Sequence, residues 1–182
     1  ESLSPEPFLQ LSVTVNGPRG AHYRLSTQRC TNRRSFAYCK DGWLQQAAED
    51  ARQPRALLEL GKSSQFSISP DGTTLAFVKM EQGRPQIFVQ VLNSNRKAEL
   101  LLRHPNGAQE PRYSPDGSSL AFSSMENGRS QVLVWSFAKK SYRPWSGQAD
   151  HQDSSPCWTP DSQGLVVCRD GSKLVLLNRG GE

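Results

Sequence analysis

The side chains with the most reactive chemistry are few: three histidines, four cysteines and an aspartate that recurs at fixed spacing. His104 and His151 fall in polar segments, with Glu110, Asp150 and Asp153 close by in the chain. Imidazole and carboxylate groups gathered on loops can ligate a metal or pass protons, but scattered loop residues of these types are far more often solvated surface. The sequence contains no His-Glu-x-x-His motif, no Gly-x-Ser-x-Gly elbow and no Gly-x-x-x-x-Gly-Lys phosphate loop. The expectation is a chain that is not an enzyme and holds no metal or other cofactor.

Asp71, Asp116 and Asp161 invite a calcium or catalytic reading until their neighbours are compared. They sit in Ser69-Pro70-Asp71-Gly72, Ser114-Pro115-Asp116-Gly117 and Thr159-Pro160-Asp161-Ser162, with both intervals equal to 45 residues. A residue that returns once per structural unit is better explained by the turn each unit needs. Proline pre-sets the backbone angle, aspartate bonds its neighbouring amides, and glycine takes the left-handed position. Pro70, Asp71, Gly72, Pro115, Asp116, Gly117, Pro160 and Asp161 are therefore assigned to structural turns.

Cys30 and Cys39 are nine positions apart, and Cys157 and Cys168 eleven. Neither pair has the Cys-x-x-Cys spacing of zinc or redox sites. Two readings stand: two local disulfides, Cys30–Cys39 and Cys157–Cys168, with the second joining neighbouring antiparallel strands, or four reduced thiols packed as small hydrophobes. Bridges imply an oxidising compartment.

More than the turn repeats. Leu75-Ala76-Phe77 matches Leu120-Ala121-Phe122, and Met80-Glu81-Gln82-Gly83-Arg84 matches Met125-Glu126-Asn127-Gly128-Arg129. The third copy keeps Pro156-Cys157-Trp158 and the apolar run Leu165 to Cys168, with a shortened Asp170-Gly171 turn. Each unit reads as strand, tight turn, strand, loop, strand, connection, strand, which is the spacing of a propeller blade. The division expected is an N-terminal strand segment (1–22) able to close the last blade, a divergent blade (23–60), two blades with the Ser-Pro-Asp-Gly turn (61–105 and 106–150) and an incomplete blade (151–182). Within the divergent blade, Ala47 to Ala51 reads alternatively as a short helix. The fold class is all-β: an array of about four four-stranded blades, closed on itself or a fragment of a larger propeller.

Composition agrees and excludes little else. With 182 residues, 35% apolar and 21% charged, the chain has the content of one ordinary globular domain, and no apolar run approaches the roughly 20 residues of a membrane helix. The sequence opens on Glu1 without a basic-then-apolar leader, which reads as a mature chain or as a piece of a longer one. Its net charge of +5 is scattered.

In a blade array, the loops after each second strand and the connections between units emerge on one edge. That places Lys79, Glu81, Arg84, Arg103, His104, Glu110, Glu126, Arg129, Asp150, His151 and Arg169 on a single ring of loops, the candidate binding face. Its interleaved signs suit a protein or peptide surface better than nucleic acid, where basic residues would cluster without acids. Trp135 and Trp158 are expected to fill space between blades, and Trp145 and Trp43 to be partly exposed.

The motif Pro-x-aromatic-Ser/Thr-Pro-Asp-Gly, followed by Leu-Ala-Phe, a glycine loop and an Ile/Val-x-Val strand, resembles the TolB-type, WD40-like PD40 propeller repeat over about residues 61–178. The resemblance implies the bacterial envelope, with a periplasmic location and a tether to the inner membrane by a segment outside this chain. It also implies binding of a protein or peptide partner, as in TolB itself or in the sensory domains of membrane-anchored, ToxR/CadC-type transcription regulators. The rival it implies is the substrate-gating propeller of a prolyl-oligopeptidase-type peptidase. A third expectation is a homodimer in which two copies complete one ring.

Overall fold

The computed structural model describes the backbone of residues 10–16, 22–29, 35–40, 43–48 and 55–59, and backbone and side chains of 65–92, 94–146 and 150–178. The described residues form sixteen strands and no helix. The first sheet contains β1 (Gln10–Asn16), β2 (His22–Arg29), β3 (Ser35–Lys40), β4 (Trp43–Ala48) and β5 (Arg55–Glu59), in chain order. The second has β6 (Phe66–Ile68), β7 (Thr74–Glu81), β8 (Arg84–Val91) and β9 (Glu99–Leu102). The third has β10 (Gln109–Tyr113), β11 (Ser119–Glu126), β12 (Arg129–Ser136) and β13 (Ser141–Pro144). The fourth has β14 (Asp153–Trp158), β15 (Gly164–Arg169) and β16 (Lys173–Asn178).

Every pairing is antiparallel between chain neighbours, as short connections require. Ala47 and Ala48 lie in β4, opposite Phe36 and Ser35, so the helical alternative for that stretch gives way to a strand. The alternating segment expected to close the last sheet instead forms β1 and pairs with β2 along its length, from Gln10↔Gln28 to Asn16↔His22.

The three aspartate turns have one construction. Gly72 N–H donates to the Ser69 carbonyl, and Asp71 accepts the Thr73 N–H at 3.0 Å, with the same contacts at Gly117 and Ser118. Gly72 and Gly117 stand at φ 74° and 71°, where a Cβ strains the backbone. The third turn has Ser162 there at φ 60°, and its hydroxyl has a use: it accepts the Asp116 N–H at 3.1 Å, joining the third sheet's turn to the fourth's.

Hydrogen bonds from Ser69 and Thr73 hold the Asp71 carboxyl below the usual carboxylate range, and those from Thr159 and Gln163 do the same for Asp161. At Asp116 burial pushes upward, and the bonds from Ser114 and Ser118 outweigh it. A carboxyl depressed in the folded chain binds protons more readily when unfolded. The stabilisation is therefore complete above the unfolded pKa, about 4, and is lost as pH falls through the lower folded values. Urea denaturation between pH 7 and pH 2 should show stability level down to about pH 5 and falling below pH 4, with a shallower acid slope in the Asp71→Asn, Asp116→Asn, Asp161→Asn variant. An unchanged slope would remove the turns from the acid response.

The core lies between sheets. Leu75 to Val78 and Leu120 to Ser123 are buried on both faces, which alternating half-exposed strands would not be. Ala76, Ile87 and Leu102 of the second sheet pack on Leu120, Phe122 and Leu133 of the third. Ala121, Val132, Val134 and Trp145 of the third pack on Leu165, Val167 and Leu177 of the fourth. The first interface includes Leu102 and Trp135, and the second Trp145 and Leu177. Trp145 is consequently 7% exposed, against the partial exposure expected, while Trp135 and Trp158 fill inter-sheet space as predicted.

The register also identifies an uncovered face. Val132 and Val134 lie opposite Ser123 and Ala121, and Leu174 and Leu176 lie opposite Cys168 and Val166 in the fourth sheet. Val132 and Val134 are 0% and 4% exposed beneath the next sheet, whereas Leu174 and Leu176 are 80% and 51% exposed.

Cys157 and Cys168 are free thiols on that fourth sheet. A register shift between Ser154 and Cys157 sets Cys157 opposite Val166 and Cys168 opposite Ser154. The two are thus diagonal, at a spacing of about 7–8 Å on such a ladder, beyond the roughly 4 Å between Cβ atoms that a disulfide requires. The expected Cys157–Cys168 bridge is corrected accordingly. The Cys30–Cys39 pairing lies outside the described residues.

Candidate functional site

The loop edge is built from hairpins and connections that hold one another. Asn127-Gly128 and Gln82-Gly83 both have positive φ at the two turn positions, the requirement of a tight type I′ hairpin, and Asp170-Gly171 repeats it with Ser172 added. Each hairpin delivers its flanking charged residues to the edge, where the neighbouring connection meets them.

From the first hairpin onward the contacts form a continuous series. Arg103 meets Glu81 at 2.9 Å and Gln82 at 3.0 Å, and Arg84 donates to the Pro105 carbonyl. Asn106 reaches Glu126 of the second hairpin. Arg129, beside that hairpin, pairs with Asp150 at 2.9 Å in the next connection, and His151 pairs with Asp170 of the third hairpin at 3.4 Å. The Arg129 guanidinium holds the Asp150 carboxyl below its usual range, and the Gln152 N–H does the same for Asp170. A cleft of about 300 Å³ opens beside the first connection, between Arg84, Arg103 and Gln82.

Beneath this edge sits a buried polar node. His104 is 3% exposed, and its backbone is gripped by Gln86, whose side chain accepts the His104 N–H at 2.8 Å and donates to its carbonyl at 2.9 Å. The Asn106 N–H approaches Nδ1 at 3.3 Å, and Nε2 faces Glu126 at 3.2 Å. Ser124 Oγ lies 2.8 Å from Nδ1 and 2.6 Å from the Gly107 carbonyl. Burial lowers the His104 pKa against the opposing pull of Glu126, keeping the ring neutral at pH 7. Ser124 is 4% exposed, so the Ser124–His104–Glu126 trio pins a connection to the third sheet. Gly107 completes the fit: at φ +85°, a Cβ there would lie 3.0 Å from the Pro85 ring.

Several predicted edge residues have other placements. Arg169 is turned inward, 8% exposed, with its Nε 3.0 Å from Asp153 Oδ1. Lys79 lies over the Phe88 ring at 5.5 Å. Glu110 joins two sheets: its carboxylate accepts the Ser155 N–H at 2.7 Å and the Ser123 hydroxyl at 2.7 Å. Its own N–H donates to Gln65 Oε1 at 2.9 Å, so Gln65, Glu110 and Ser155 form an inter-sheet ladder at the same 45-residue interval as the turns. That interval was the signal available for Gln65 and Ser155. Gln86 recurs at that interval as Gln131, whereas Ser124 and His104 have no like residue 45 positions away. No group of three or more potential metal ligands occurs among the described residues.

The second, third and fourth sheets, stacked face to face in chain order and tethered one to the next through residues 45 or 46 positions on, are blades of a β-propeller. The TolB beta propeller domain family, PD40, matches residues 40–175, and the chain belongs to it. Comparison with curated protein sequences finds no significant match. Among solved structures, TolB from Acinetobacter baumannii is similar at 19% identity and a TM-score of 0.74, over 84% of this chain and 40% of that one. Oligogalacturonate lyase from Vibrio parahaemolyticus is similar at 13% identity and a TM-score of 0.64, over 85% and 50%. A chain of a nidogen/laminin complex is similar at 10% identity and a TM-score of 0.65, over 96% and 73%. These likenesses concern the fold, and this chain spans 40% of the Acinetobacter TolB chain.

Proposed function

We propose that this chain is a non-catalytic propeller module of the bacterial envelope that binds a protein or peptide through its hairpin-and-connection edge, as the periplasmic sensory part of a membrane-anchored regulator. The fold serves a lyase and TolB alike, so the reading rests on the edge. The observation that carries it is a row of exposed charges of both signs held in register by cross-loop pairs, Arg103 with Glu81 and Arg129 with Asp150, with His151 set against Asp170. Fixed charges of both signs select a complementary protein surface and steer its approach. A propeller solved within a nidogen/laminin complex, and the TolB family itself, support protein binding as a use of this architecture. No helix among the described residues is long and apolar enough to cross a membrane.

The test is capture of envelope proteins by the native chain and by an Arg84→Glu, Arg129→Glu variant. Arg129 and Asp150 are 45% and 98% exposed at the side chain, and so exposed a pair contributes little to stability, so the variant should fold. Recovery of specific partners should drop about tenfold or more. Equal recovery of the same partners by both proteins would count against this edge.

A further inference from the structure

On the opposite edge from the hairpins, between the third and fourth sheets, lies a cleft of about 420 Å³. That volume is within the range of small-molecule sites, about 300–1,000 Å³. From its lining we propose that the cleft binds an acidic saccharide of one or two rings.

Its apolar wall is a corner of two indoles. Trp145 and Trp158 meet nearly at right angles, with centroids 5.5 Å apart. Both rings are fixed, since Trp158 Nε1 donates to the Arg112 carbonyl at 3.0 Å and Trp145 Nε1 to the Leu177 carbonyl at 3.4 Å. Trp145 is 7% exposed and has Arg143 over its ring, so the half-buried Trp158 supplies the accessible aromatic face, and an immobile face suits the C–H face of a sugar ring, which packs on it at little cost in side-chain entropy.

The cleft's charge is of one sign. Arg143 holds its guanidinium 4.8 Å from the Trp145 centroid, Lys139 lines the same cleft, and no aspartate or glutamate lines the cavity. Neither cation has an ion-pair partner among the described residues, whereas Arg103, Arg129 and Arg169 each face a carboxylate. A carboxylate on the ligand would supply the missing anion by charge-assisted hydrogen bonds.

Hydroxyls form the rest of the rim: Ser118, Ser119, Ser136, Ser141 and Ser162. Ser136 Oγ accepts the Lys139 N–H and Ser162 Oγ accepts the Asp116 N–H, so each keeps its own proton to donate. A row of serines matches ring hydroxyls. An aromatic acid would pack on Trp158 and leave that row unmatched, and a bare phosphate would leave Trp158 unmatched.

The site stands independently of the loop edge, and its test uses other residues. Intrinsic tryptophan fluorescence of the whole chain is titrated with D-glucuronate and D-galacturonate, with D-glucose and benzoate as controls. The expected result is a saturable change with one or both uronates, a response at least about tenfold weaker to glucose and benzoate, and a midpoint raised about tenfold by Arg143→Ala. Arg143 is exposed, so that variant should keep the parent's circular dichroism, and Ser136→Ala gives a second, smaller loss. No saturable response to either uronate, equal responses to glucose or benzoate, or an Arg143→Ala midpoint equal to the parent's would each overturn the proposal.

Discussion

Asp153→Ala is expected to remove about 3–5 kcal/mol of folding stability, the usual cost of stranding one partner of a buried ion pair. Asp153 binds Arg169 through both carboxylate oxygens, at 3.0 Å to Nε and 3.2 Å to Nη2, and the side chains are only 5% and 10% exposed. Without the carboxylate, a guanidinium is left in the fourth sheet without its counter-charge. Single domains are stable by about 5–15 kcal/mol in all, so the urea midpoint should fall steeply at unchanged slope. Replacing both residues by leucine should recover much of the loss, because an apolar pair removes the desolvation cost together with the attraction. A loss below about 1 kcal/mol, the figure for surface pairs, would contradict the burial of this pair.

Phe122→Ala is expected to cost a similar amount, about 3–5 kcal/mol, and its control lies in the next sheet. Phe122 is 0% exposed and wedged between the second and third sheets, with His104 and Tyr142 approaching its ring at 6.1 and 5.9 Å. The cavity left by truncation would sit beside the polar node and loosen the edge above it. Leu176→Ala, on the outer strand β16 and 51% exposed, should change stability by no more than about 0.5 kcal/mol. Thermal or urea unfolding of the two variants separates the contribution of stacking sheets from that of pairing strands. Equal losses would mean that the Leu176 face is covered.

The strand order was legible because turn residues act locally. Pro, Asp and Gly at 70 to 72 set the angles of a turn within four residues, and the same four-residue problem recurs at 115 and 160. The Gln82-Gly83 and Asn127-Gly128 hairpins were legible on the same ground. The loop edge followed from topology alone, and its hairpins and connections do meet, through Arg103, Asn106, Arg129 and His151.

Errors arose where one residue of register decides the outcome. The bulges at Glu110 and Ser155 shift each inner strand by a step that composition does not announce, and in the fourth sheet this sets Cys157 and Cys168 on a diagonal. Arg169 was counted among surface loop cations because it adjoins a turn. Its side chain points inward because Asp153, sixteen residues earlier, is there to receive it. Likewise Trp145 is buried because Leu165, Val167 and Leu177 of the fourth sheet pack against it.

By itself the sequence determined the repeat, the all-β class and the TolB-type family, since each is written in local spacing and turn chemistry. Tertiary structure alone decided which charges reach solvent, which indoles make a corner and which thiols stay apart. Those outcomes depend on groups brought together from different sheets, where burial and register set the energy of a side chain more than its neighbours in the chain do.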